Sequence, residues 1–239
     1  LALTKASALI GYSNLLPSSA WRASTAVPVE VSYNYDERSL FRAEVIYITA
    51  EEWSRELKSL FEDIQAASGS GTDDEDDEGE AERKDRINQS FDKIKYVYPH
   101  IRSLAKLGTV SVEELLNHPE VRDVLGSTKP IAKPSKNQLS TAILRYIDSG
   151  DHNDKISSHW PLVKLVKVFV KSDLLEPGII LVDLPGNLDS NAARSAIAEK
   201  YHKDLSVSCI VADVTRGISE KNVSDLVINW EQILTKLGA

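Results

Sequence analysis

Apolar and polar positions alternate early in the chain. The stretches "STAVPVEVSYN" and "LFRAEVIYIT" place apolar side chains at every second residue and are rich in β-branched and aromatic types, the pattern of half-buried strands. Between them "NYDERS" reads as a hairpin connection. The period then changes. In "TAEEWSRELKSLFEDIQAA", Trp53, Leu57, Leu60, Phe61 and Ile64 share one helical face. Thr49 and Glu52, three residues apart, have the spacing of a capping box. Residues 87–158 predict further helix, interrupted at Pro99, Pro119, Pro130 and Pro134. Ser111 and Glu114 repeat the capping-box spacing ahead of Leu115 and Leu116.

After Trp160-Pro161, "LVKLVKVFVK" alternates again and predicts a strand with one solvated face. "SDLLEPG" supplies a turn, and the continuously apolar "IILVD" predicts a strand buried on both faces. The two together read as an edge strand folding back onto a central parallel strand. "DSNAARSAIAEKYHKDL" predicts a helix capped by Asp189, and "VSCIVADV" another buried strand. Strand, helix, strand in that order implies a right-handed βαβ unit and an α/β fold. In the last segment Val223, Leu226, Val227, Trp230, Ile233, Leu234 and Leu237 keep helical spacing up to Gly238.

Charge separates one segment from the rest. The run "DDEDDEGEAE", residues 73–82, holds eight carboxylates and no base, while the whole chain carries a net charge of −8. The remainder is therefore balanced. From Ser68 to about Arg86 the composition cannot bury enough apolar surface to offset chain entropy, so a disordered acidic linker is expected at 68–86. An acidic binding tail, or a kinase target at Ser68, Ser70 or Thr72, is the weaker reading of such a composition. No basic stripe of the kind that tracks nucleic acid is present in the sequence. No stretch approaches the roughly 20 apolar residues of a transmembrane helix. The single cysteine, Cys209, excludes an internal disulfide framework and fits an intracellular setting, nucleus or cytoplasm. His100, His118, His152 and His159 lack i, i+4 partners and paired cysteines, so they read as surface or packing residues. The absence of methionine, with Leu1 at the start, leads us to expect a piece of a longer protein.

The candidate chemistry sits where "GIILVDLPGNLD" ends its apolar run in Asp183-Leu184-Pro185-Gly186. In open α/β sheets ligands collect outside the carboxyl ends of strands. A carboxylate there can hold Mg²⁺ beside a nucleotide's phosphates. A glycine lets its backbone N–H approach a phosphate oxygen closely. The alternative is a solvated Asp183 in a Pro-Gly turn, and these four residues alone leave the two readings level. A third reading, Asp183 as a phosphotransfer nucleophile, suffers from proline at position 185, where such sites want a second aspartate.

Taken together, "NLLPSSAWRASTAVPVEVSYN", "FRAEVIYI", "WPLVKLVKVFVKSDLLEPGIILVDLPGNLDSNAARSAIAEKY" and "CIVADVTRG" resemble the GTPase domain of the dynamin superfamily, from about Ala8 to Lys221. The resemblance is greatest to a nuclear branch with fungal members. It implies a partial dynamin-type GTPase domain over 1–239, built as an incomplete three-layer GTPase-type parallel sheet with an antiparallel edge strand. It also implies a helical insertion over 50–160 that contains the acidic linker. By the same resemblance, Thr25 is the switch-I threonine, acting in catalysis and binding both metal and nucleotide. Asp183 is the switch-II metal and nucleotide residue, and Gly186 a phosphate-binding backbone. Mg²⁺ with GTP is the implied ligand, and self-association an implied property. The family's phosphate-binding loop, G-x-x-x-x-G-K-[ST], does not occur in the chain. Counting back from Gly11, its lysine would fall at Ala2 and its serine at Leu3; Lys5 is out of register. The guanine-reading [NT]-K-x-D is also missing, with Gly238 at the aspartate position of "LTKLG". The expectation is a GTPase by ancestry with negligible hydrolysis in these residues, or else a non-catalytic pseudo-GTPase that serves as an interaction module.

Overall fold

The computed structural model describes residues 10–12, 15–16, 27–69, 77–147, 160–184 and 206–207. The predicted helix over 189–205, strand over 207–214 and helix over 223–237 lie outside these residues, apart from the exposed Val207.

Among the described residues five strands form one sheet: β1 (Val29–Tyr33), β2 (Phe41–Tyr47), β3 (Thr128–Lys133), β4 (Val163–Val170) and β5 (Leu181–Asp183). Their order is β3-β2-β4-β1-β5. The sheet is mixed: β1 runs parallel to β4, while β1–β5, β2–β3 and β2–β4 are antiparallel. This is the α/β class expected, with more antiparallel pairing than a GTPase-type parallel sheet implies.

Two local pairings differ from expectation. β1 and β2 do not form a hairpin, because β4 lies between them and pairs with both. The reason is in β4 itself, where Val163, Leu165, Val166, Val168 and Val170 are all buried. A strand this apolar is best placed at the sheet centre, with its backbone groups satisfied on both edges. For the same reason β5 does not fold back on β4. It pairs instead with the outer edge of β1, Val29 opposite Asp183 and Val31 opposite Leu181. The apolar run before it is not buried on both faces, for Ile180 is 53% exposed.

Helix α1 (Ala50–Gly69) starts at the predicted capping box. The Thr49 N–H donates to Glu52 Oε2 at 2.8 Å and the Glu52 N–H to Thr49 Oγ1 at 3.1 Å. Trp53, Leu57, Leu60 and Ile64 are buried, so the predicted face is the packed one. α1 lies against α2 (Asp77–Val97). The helix α2 corrects the expected disorder over 68–86: residues from Asp77 onward are helical, and 70–76 lie outside the described residues. Good helix formers dominate there, carboxylates favour a helix N-terminus, and Glu80 pairs with Lys84 one turn on.

Short helices α3 (Leu104–Leu107), α4 (Val112–Leu116) and α5 (Pro119–Arg122) follow. The Ser111–Glu114 box is formed at the start of α4. The stretch expected to be helical throughout then supplies β3, which carries Pro130 opposite Glu44. An edge strand tolerates proline because one row of its backbone groups needs no ladder partner. Helix α6 (Lys136–Ile147) buries Leu139, Ile143, Tyr146 and Ile147 and packs on β2, β3 and β4. The region 50–160 is therefore joined to the sheet through β3 and α6.

Candidate functional site

Asp183 closes β5 at the end of the sheet where β1 begins. The register follows from the apolar rungs. Val29 and Val31 are fully buried on β1, and their antiparallel partners are Asp183 and Leu181. Just ahead of Val29, the Pro28 carbonyl accepts the Val166 N–H at 3.0 Å, tying the chain entering β1 to the central strand. Val27 and Pro28 are buried. The segment that leads from Thr25 into the sheet thus arrives at the strand opposite Asp183. Thr25 and Gly186 themselves lie outside the described residues.

The Asp183 carboxyl is half-buried, and this desolvation pushes its pKa up to about 6. Among the described residues no lysine, arginine or histidine pairs with it. On β4, two strands away, Lys164 is committed to Glu52 at 2.6 Å. The chain's N-terminal ammonium acts in the opposite direction but does not outweigh burial; a desolvated carboxylate of this kind suits a divalent cation, which would remove the penalty of holding that charge. Among the described residues there is no cluster of three or more His, Cys, Asp or Glu able to hold a metal ion.

The network around Glu52 was only partly visible in sequence. Burial raises the Glu52 carboxyl, but the Lys164 ammonium and the Thr49 N–H outweigh it and hold the group below the usual carboxylate range. The capping-box spacing announced Thr49 and Glu52; nothing in the spacing announced Lys164, 112 residues away. A shallow cleft of about 270 Å³, lined by Tyr33, Tyr35, Phe169, Leu175, Ile179 and Ile180, opens at the other end of β5. It is remote in register from Asp183 and carries no phosphate-binding signature.

Over most of its length the chain is similar to curated nuclear GTPases. These are the nuclear GTPase SLIP-GC of Mus musculus, 29% identical over 226 residues, and that of Homo sapiens, 26% identical over 226 residues. Each alignment covers 92% of this chain and 27% of the relative, so the chain spans about a quarter of the length of the curated relatives it matches. No family model matches the chain. Among solved structures, a bacterial dynamin from an oligomerised pair that senses and tethers membranes over long range aligns with 95% of this chain and 23% of its own. Its identity is 13% and its TM-score 0.45, too loose a superposition to bear on the fold. Among the described residues, no helix is long and apolar enough to cross a membrane.

Proposed function

We propose that this chain forms the switch side of a Mg²⁺·GTP site, and that these 239 residues alone neither bind nor hydrolyse GTP appreciably. The observation that carries the reading is the desolvated carboxylate of Asp183, set opposite Val29 at the strand entered from Thr25. Homology to a nuclear GTPase over 92% of the chain supports it.

In a longer chain that supplies the phosphate-binding loop, Asp183 would hold Mg²⁺ directly or through water. Thr25 would offer its hydroxyl and carbonyl to the metal and the γ-phosphate's surroundings, and Gly186 its backbone N–H to a phosphate oxygen. Bound Mg²⁺ supplies neutralisation of phosphate charge. The chain's own part is to orient those groups and to keep the Asp183 carboxylate ionised toward the cation. Catalysis of this kind is mostly positioning and electrostatics. Without G-x-x-x-x-G-K-[ST], the amides and lysine that cradle the phosphates are missing from the partnership, and binding by the chain is expected to be negligible.

Titration with a fluorescent GTP analogue in the presence of Mg²⁺ tests this. The 239-residue chain should show no saturable binding in the micromolar range. In a parent chain with the loop, Asp183→Ala should lower hydrolysis by roughly a hundredfold or more. Micromolar binding by the chain alone would overturn its predicted inactivity, and undiminished hydrolysis in the variant would remove Asp183 from the site. The absent loop also favours a second reading, a pseudo-GTPase that acts as an interaction module. It predicts no GTP binding by a loop-containing parent either. Since both relatives are nuclear GTPases, we place the protein's site of action in the nucleus, which localisation of a tagged full-length protein would check.

A further inference from the structure

Away from the strand tip, two histidines face each other. His100 lies in the turn after α2 and His118 in the turn between α4 and α5. Their rings stack, with centroids 5.1 Å apart and planes inclined by 14°. Both meet the Tyr98 ring edge-on, at 6.1 Å and 5.8 Å. Tyr98 is an anchor: its hydroxyl accepts from the Trp53 indole at 3.0 Å and donates to the Leu115 carbonyl at 2.9 Å. The same Leu115 carbonyl accepts the His118 N–H at 3.2 Å, and the His118 carbonyl accepts the Val121 and Arg122 N–H groups that open α5. No side chain caps α5. The position of His118 therefore decides where α5 starts.

We propose that the stacked His100–His118 pair is a proton-sensitive latch, closed when the His100 ring is neutral, that pins the turn after α2 to the turn between α4 and α5. It acts beside the Tyr98–Leu115 hydrogen bond and the buried Ile101 and Val121, at the surface end of the same contact. His118 Nδ1 is buried and has no hydrogen-bond partner among the described residues. The closed latch thus leaves one polar atom unsatisfied, and opening restores its solvation. Two imidazolium rings at this separation repel. The surrounding charges are few. Lys106 on α3 adds to the repulsion and Glu120 on α5 opposes it. Glu114 is engaged in its capping box, Arg122 pairs with Asp123, and burial pushes the Tyr98 hydroxyl up to about 12, so it stays neutral. Desolvation in the stack, then His118 and Lys106, lower the His100 pKa below its ordinary 6.5. A base so shifted takes up a proton more readily with the latch open. Closure is favoured above pH 6.5 and weakens as the pH falls through it.

Hydrogen exchange on the full chain at pH 7.5 and pH 5.5, corrected for the intrinsic pH dependence of exchange, reads the latch directly. Peptides covering 98–103 and 115–125 should open roughly five- to tenfold more at pH 5.5, a tenfold change corresponding to one pKa unit. Peptides from α6 should be unchanged. In His100→Gln, an exposed position where the fold is not at risk, the pH-dependent excess should disappear; in His118→Gln the same peptides should be open at both pH values. An excess that persists in His100→Gln, or one spread evenly over the chain, would overturn the latch.

Discussion

Glu52 shows how much one side chain can hold at the start of a helix. Its carboxylate accepts the Thr49 N–H and the Lys164 ammonium, so it fixes both the first turn of α1 and the contact of α1 with β4. Glu52→Gln keeps the size but loses the ion pair; a cost of about 1–2 kcal/mol is expected at pH 7. The folded pKa is depressed, so this stability is present above the ordinary value of 4.5 and is lost as the pH falls through it. Urea melts of wild type and Glu52→Gln should therefore differ at pH 7 and draw together as the pH falls below 4.5. Asp183 is the opposite case. Burial of its charge outweighs the nearby N-terminal ammonium, so Asp183→Asn should raise stability at neutral pH, by an amount on the order of 1 kcal/mol because the group is only half-buried. A residue whose removal stabilises the fold while abolishing metal-dependent activity is the signature of a site held at a cost to folding.

The elements themselves were largely legible, and their partners were not. Period-two alternation identified β1, β2 and β4, and helical spacing with a capping box identified α1, because both patterns are local. Pairing is not local. Nothing within residues 27–47 announces that β4, more than a hundred residues later, will separate β1 from β2. β3 was missed because Lys129, Pro130, Ala132 and Lys133 are poor strand formers, and proline is acceptable only at an edge. The start of α2 was missed because its acidic composition outweighed its helix propensity in a reading by hydrophobicity alone. This assignment of centre and edge has a measurable consequence. Val168→Ala, in the middle of the central strand and fully buried, should cost roughly 1.5–3 kcal/mol. Ile131→Val, on the half-buried edge strand, should cost well under about 1 kcal/mol. Equal losses in chemical denaturation would mean that β4 is not the centre of the sheet.

At the scale of the whole molecule, the two faces of the sheet are unlike. Val29, Val31, Ala43, Val45, Val166 and Val168 make a closed apolar face, whereas Arg42, Glu44, Lys167 and Phe169 are half-exposed on the other. Of the candidate site, Asp183 could be read from the strand tip because a charge ending an apolar run is a local signal. Thr25 could not, since a single hydroxyl in a Ser/Thr-rich loop has no local signature and only the family resemblance singled it out. The open face and the cleft beside it leave Tyr35, Ile179 and Ile180 exposed together, with Tyr35 at 75%. Contiguous apolar groups of this kind bind hydrophobic dyes and favour association. Gly178, at φ 99°, turns the chain just before them, and no hydrogen bond from Ile179 or Ile180 is needed to hold β5 to β1, whose rungs begin at Leu181. Replacing both isoleucines with threonine should therefore leave the circular-dichroism spectrum and melting temperature nearly unchanged. It should also lower the fluorescence of a bound anilinonaphthalene dye, and reduce concentration-dependent light scattering, by about half or more, in proportion to the apolar area removed. If dye binding were unaffected, the exposed surface of the molecule would lie elsewhere, and the described end of β5 would have to be covered in solution.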